Sequence, residues 1–202
     1  MKILIVSGFL GAGKTTFIKR LARNVDQRFA ILENEYGAAG IDGARLGQNR
    51  QGTQKNVWEM TEQCICCIGK KDFAASVLTI ANVVDPEYLI VEPTGVGSLA
   101  RIIENLRQIE YERIQLRSPV TIVDVYSYRH YMAEYPELYQ DQIRSADTII
   151  VSKTEACQAE EKQRIQKFLQ EINPQAKIIT DYASTMTRED YQSLLLGGRY
   201  EK

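Results

Sequence analysis

Residues 8–15 read Gly-Phe-Leu-Gly-Ala-Gly-Lys-Thr, a glycine-spaced run that ends in a lysine and a hydroxyl. Between an apolar strand and a helix start, such a run curls the backbone so that successive N–H groups point at phosphate oxygens. The helix that follows adds the positive pole of its dipole. On this reading Gly8, Gly11, Ala12, Gly13 and Thr16 belong to a nucleotide cradle, and Lys14 reaches the β- and γ-phosphates as a catalytic charge. The Thr15 hydroxyl joins a Mg²⁺ ion. Glu92-Pro93-Thr94-Gly95 offers a second group of the same kind. A carboxylate at the carboxyl edge of a strand is where an α/β sheet places ligand chemistry. Glu92 is therefore a Mg²⁺ or water-orienting candidate. The N–H of Gly95, which no side chain shields, is a candidate γ-phosphate sensor that hydrolysis would release.

Two further clusters need a partner. Ser152-Lys153-Thr154-Glu155 stands where a guanine-reading Asn-Lys-x-Asp would stand in a GTPase. Glu155 keeps the carboxylate that accepts from guanine N1–H and its 2-amino group, and Lys153 can lie along the base. Ser152 lacks an amide's two-sided bonding. A carboxylate matched to guanine rejects adenine, so GTP is expected over ATP. Cys64, Cys66 and Cys67 crowd three of the four cysteines of the chain into four positions. Thiolates so close suit a soft metal or redox exchange. Three are one short of a closed tetrahedral zinc site, which suits a metal that must leave again. Glu33 and Glu35 are candidates for the missing donor. Glu35 and Asp42 are also candidates to position water. Cys157 and the single histidine, His130, read as packing or surface groups, as do the tyrosines around His130.

These groups need a scaffold that delivers them to one edge. Short Val/Ile/Leu-rich runs at 2–7, 29–34, 56–60, 87–92, 119–124, 147–152 and 176–180 read as strands. Helical stretches at 15–24, 70–82, 97–107, 128–145 and 159–171 alternate with them. Continuous apolar strands alternating with helices predict a three-layer α/β/α fold with a mostly parallel sheet. The polar, Gly-rich stretch 38–56 has a length usually reserved for functional loops.

The 202 residues suggest one domain. A net charge of −1 with 25% charged residues leaves no basic footprint for nucleic acid or a membrane surface. No apolar run is long enough to span a bilayer, and the N-terminal one is too short for a secretion signal. The expected location is the cytoplasm, where a disulfide framework is disfavoured.

Taken together, GFLGAGKTT, ENEYG with GIDG, CICC, EPTG and SKTE resemble the CobW/HypB/UreG-like metallochaperone GTPases, the CobW branch most of all. The resemblance runs over residues 1–195. It implies a SIMIBI-type P-loop fold, GTP and GDP as ligands with Mg²⁺, and slow hydrolysis without a partner. It also implies zinc or cobalt as cargo for a client metalloprotein or a cofactor-synthesis enzyme, and a nucleotide-dependent homodimer. Ala38 and Gln63 replace a Glu and a Gly common in the family, and Ser152 and Glu155 replace Asn and Asp. The second, C-terminal domain of CobW-like proteins is not expected within residues 1–202, which read as a GTPase domain alone. Two other readings stay open: a small-molecule kinase using the same cradle, and a nucleotide-binding adaptor that transfers no metal.

Overall fold

The computed structural model describes residues 1–27, 29–33, 57–61 and 70–197. The expected apolar runs form β1 (Lys2–Gly8), β2 (Phe29–Glu33), β3 (Val57–Thr61), β4 (Tyr88–Glu92), β6 (Val120–Asp124), β7 (Thr148–Ser152) and β8 (Lys177–Ile179). They line up in the order β3-β2-β4-β1-β6-β7-β8, and a short β5 (Gln115–Leu116) pairs with β1 off this path. All these pairings are parallel. Helices cover both faces, so β4, β6 and β7 are buried along their whole length. Unbroken apolar strands are what that double burial requires.

Eight helices are described: α1 (Lys14–Asn24), α2 (Lys70–Val83), α3 (Leu99–Arg107), α4 (Tyr128–Glu134), α5 (Pro136–Arg144), α6 (Ala159–Ile172), α7 (Tyr182–Thr185) and α8 (Arg188–Leu196). The core divides into two layers by strand alternation. Ile3 and Ile5 of β1 face a cluster with Phe73, Ile103, Ile143 and Leu169. Leu4 and Val6 face the other side with Phe17, Leu21, Tyr182 and Leu195. Alternate residues of a strand point to opposite faces, so one strand stitches both layers together.

Three differences from the sequence reading have local causes. The single helix expected at 128–145 is two, broken at Tyr135 (φ −132°, ψ 54°) with Pro136 opening the second. The proline ring disfavours helical backbone at the residue before it, and proline suits the first helical position. The helix expected from residue 97 starts at Leu99, because the Ser98 side chain accepts from the Arg101 N–H and caps it. The final helix α8 was not anticipated, although Thr187 and Asp190 bond reciprocally as a capping box.

The order of strands decides where a ligand fits. β1 lies between β4 and β6, and the chain runs to opposite sides of it before and after. A crevice opens at such a switch point, outside the carboxyl ends of the strands. Gly8 ends β1 there, with Glu92 on one flank and Asp124 on the other.

Candidate functional site

The loop after β1 holds its shape through glycine. Gly11 and Gly13 have φ of 68° and 97°, in the left-handed region that other residues avoid. Gly8 combines φ 142° with a position where a Cβ would lie 2.5 Å from the Ile122 carbonyl oxygen. The Ala12 N–H closes a turn onto the Phe9 carbonyl at 3.1 Å. Lys14 is buried, and its ammonium donates to the carbonyls of Gly8 (3.0 Å) and Phe9 (3.3 Å). The amine thus lies across the mouth of the curl. Thr15 sits at the first turn of α1 and Thr16 beside it is exposed.

Glu92 at the end of β4 is buried and accepts from the Thr15 hydroxyl at 3.1 and 3.4 Å. A hydroxyl and a carboxylate converging at the mouth of a phosphate-type loop form a donor set that suits a hard cation such as Mg²⁺. Glu33 ends β2 in register with Glu92, so two carboxylates end neighbouring strands at this edge. In turn Thr61 of β3 is in register with Glu33. Gly95 is pressed against the loop: a Cβ there would lie 2.4 Å from the Leu10 nitrogen. The sheet therefore brings Gly8, Lys14, Thr15, Glu92, Gly95 and Glu33 to one edge. Glu35, Cys64, Cys66 and Cys67 lie outside the described residues. Among the described residues no trio of His, Cys, Asp and Glu is placed to hold a metal ion.

The other flank is built from charged side chains. Ser152 is 2% exposed, and its hydroxyl donates to the Ala12 carbonyl at 2.6 Å, so it braces the loop itself. Lys153 takes φ 60° and its ammonium meets Asp124 Oδ2 at 2.6 Å. Asp124 Oδ1 accepts the Tyr126 N–H at 2.9 Å, which fixes the carboxylate. Further out, Lys162 meets Asp181 at 2.6 Å, and Asp181 takes φ 56°. The bond from Lys162 holds the Asp181 carboxyl below its usual range, against a smaller opposing effect of burial and with help from Thr154. Glu155 is exposed, and its charge adds to the burial that raises the Tyr182 phenol, against the opposing Arg20 charge. Asp124 escaped the sequence reading, yet it carries the signal that marked Glu92: an acid at the carboxyl edge of an apolar strand. His130 is exposed beside Glu134, and Cys157 is half-buried near the Lys153 carbonyl.

A parallel α/β sheet with a glycine-curled loop, lysine and threonine at its switch point defines a P-loop nucleotide-binding protein. The chain belongs to the CobW/HypB/UreG family, whose nucleotide-binding domain matches residues 2–180. Zinc chaperone YeiR of Escherichia coli (strain K12) is 31% identical over 178 residues, covering 87% of this chain and 53% of its own. Zinc chaperone CobW of Sinorhizobium sp is 30% identical over 182 residues, 77% of this chain and 51% of its own. The chain spans about half the length of the curated relatives it matches. Among solved structures, a zinc-bound triple mutant of the YjiA GTPase superposes with a TM-score of 0.69 at 21% identity, over 96% of this chain and 60% of that one. The hydrogenase maturation factor HypB from Archaeoglobus fulgidus gives 0.64 at 19% identity, over 98% of this chain and 89% of its own. These two likenesses bear on the fold. No helix among the described residues is long and apolar enough to cross a membrane.

Proposed function

We propose that this chain binds and hydrolyses GTP, and that the nucleotide it holds governs its grip on a transition metal, zinc or cobalt, destined for a client metalloprotein or a cofactor-synthesis enzyme. The observation that carries the reading is the row of strand ends Glu92, Glu33 and Thr61. Glu92 reaches the loop hydroxyl of Thr15, Glu33 stands beside it, and three residues after Thr61 the cysteine run begins. Charge on a bound triphosphate and a donor for the cargo metal would then share one edge.

In this reading the backbone of Gly8, Gly11, Ala12, Gly13 and Thr16 cradles the phosphates. Lys14 gives up its bonds to the loop carbonyls for phosphate oxygens. Thr15 and Glu92 hold Mg²⁺, which when bound supplies positive charge to the phosphate oxygens. Gly95 donates its N–H to the γ-phosphate, and Glu35 orients the water that attacks it. Lys153 and Glu155 address the guanine, while Ser152 supports the loop from behind. Cys64, Cys66, Cys67 and Glu33 form the cargo site. YeiR and two CobW relatives, from Sinorhizobium sp and Pseudomonas aeruginosa, are named zinc chaperones, which supports zinc as the first metal to try.

The test is an anaerobic zinc titration of the reduced chain with GDP, with a non-hydrolysable GTP analogue, and with neither. Affinity should differ between the two nucleotides, by about tenfold for a typical coupling. Cys66→Ser should weaken zinc and abolish that difference. Affinity rather than occupancy is the readout, because the YjiA triple mutant, with one glutamate and two cysteines replaced by alanine, is still zinc-bound. Equal zinc affinity in all three states, unmoved by Cys66→Ser, would end the carrier reading. Phosphate release without a second substrate would separate hydrolysis from a kinase reaction.

A further inference from the structure

The loop that follows β4 is gripped from the side by α5. Gln142 is 1% exposed, and its Nε2 donates to the carbonyls of both Gly95 (3.1 Å) and Gly97 (2.9 Å). Its Oε1 is buried and has no hydrogen-bond partner among the described residues. One residue earlier, Asp141 Oδ2 accepts from the N–H groups of Leu99 (2.8 Å) and Ala100 (3.4 Å), at the start of α3. Gln142 is itself held by its own carbonyl, which accepts from Thr121 of β6 at 2.9 Å. The same pair of helices also touches the nucleotide loop. The Tyr131 hydroxyl of α4 donates to the Leu10 carbonyl at 3.1 Å, and Phe9 packs on Tyr131 and Tyr139 with ring centroids 4.6 and 5.0 Å away.

We infer that Gln142 is a positioning residue for nucleotide sensing: it anchors the Gly95–Gly97 backbone, which lies against the phosphate loop at Leu10, to the α4–α5 pair, so that any movement of the Gly95–Gly97 loop is passed to these helices. The inference rests on the proposed role of Gly95 toward a γ-phosphate. A buried side chain that leaves its acceptor idle while both carbonyls in reach are satisfied has its chemistry set by those carbonyls. Leaving a polar atom buried without a partner is costly, so the two donated bonds must compensate. Glutamate is nearly the same size but turns an ionised acceptor on two carbonyls. Leucine fills the space and donates nothing. Gly95 is caught between this anchor and the Leu10 nitrogen, so the loop has little freedom to drift: it is either held by Gln142 or displaced as a unit.

The test compares wild type with Gln142→Leu and Gln142→Glu. The readouts are affinity for fluorescent GDP, affinity for a fluorescent non-hydrolysable GTP analogue, and single-turnover GTP hydrolysis. The expected result for Gln142→Leu is a GTP-to-GDP affinity ratio lowered about tenfold, the size of one or two lost hydrogen bonds. Hydrolysis falls with it, and GDP affinity stays within about twofold of wild type because the phosphate loop is untouched. Gln142→Glu should lower the ratio further. A purely structural residue would weaken both nucleotides equally, and that result overturns the inference, as does an unchanged ratio. If the variants fail to fold, hydrogen exchange on the wild-type chain decides. Amides of residues 95–100 and of α5 should change together between the GDP and GTP-analogue states. Change in the loop alone overturns the inference. A wild-type chain that binds neither nucleotide sinks the proposed function itself and this inference with it, whereas intact GTP binding with an unmoved Gln142 series sinks only the latter.

Discussion

The two flanks of the crevice solve the same problem by opposite means. On the phosphate side, shape comes from side chains that are missing. Gly8 and Gly95 admit no Cβ without a backbone clash, and Gly11 and Gly13 sit in left-handed conformations. On the flank proposed to meet the base, shape comes from side chains that are present. Lys153 and Asp181 adopt φ of 60° and 56° without being glycine, each in an ion pair at 2.6 Å, to Asp124 and Lys162. Such a conformation costs a non-glycine residue about 1 kcal/mol, a strain that the paired charges can offset. A cradle made of bare backbone tolerates little change and reads only phosphate, which every nucleotide shares. A flank made of paired side chains can be retuned residue by residue, and that is where this chain departs from the Asn-Lys-x-Asp pattern.

The contrast can be broken within the phosphate side first. Gly8→Ala should destabilise the fold by about 3 kcal/mol, from strain at positive φ plus the clash with the Ile122 carbonyl. Gly11→Ala meets nothing within 4 Å and should cost only about 1 kcal/mol. Urea unfolding of the two variants measures the gap, and equal midpoints would show that close packing at Gly8 is not what shapes the loop. Across the crevice, Asp124→Asn keeps the oxygen that accepts the Tyr126 N–H but turns an amide nitrogen toward Lys153. Freed from its partner, Lys153 should lose its set position, and the preference for GTP over ATP should fall about fivefold, the scale of an ion pair whose lysine is half exposed. Competition binding with the two nucleotides reads the ratio. Ser152→Ala should act differently although it is the next residue in the chain. It removes the 2.6 Å brace on Ala12, so both nucleotides should weaken by the same factor, about threefold. A shift in the GTP-to-ATP ratio for Ser152→Ala would return that hydroxyl to base recognition.

The same contrast explains what the sequence disclosed. A loop dictated by absent side chains leaves glycines at fixed spacing, so the cradle is legible at residues 8–15, and apolar runs buried on both faces make the strands legible too. Asp124 shows in the sequence only as an acid ending an apolar strand, and Gln142 leaves no pattern at all. Each is a single polar residue whose partners, Lys153 and the Gly95 and Gly97 carbonyls, lie 29, 47 and 45 positions away in the chain. Only the strand order brings them together. The Tyr135–Pro136 break is present in the sequence as a proline, and the single helix expected over 128–145 takes no account of it.

The smallest effect separates an ion pair that shapes the base flank from one that only decorates it. Lys162 and Asp181 are partly exposed, with side chains 25% and 27% accessible, so solvent screens much of their attraction. The Asp181 carboxyl is held below its ordinary range when folded, so its contribution to stability is present above the unfolded pKa and is lost as pH falls through the folded value. Asp181→Asn should therefore cost about 0.5 kcal/mol near neutral pH. That difference should shrink to nothing as pH falls from the ordinary carboxylate range through the lowered folded value, where the wild-type carboxyl takes up its proton. Asparagine also tolerates left-handed backbone, so the substitution removes the charge while sparing the φ of 56°. Paired urea titrations across that range isolate the ion pair from the strain it accompanies. A cost that persists at low pH would mean that the Asp181 side chain is held by its neutral contacts, Thr154 among them, and that charge is not what shapes the outer edge of the base flank.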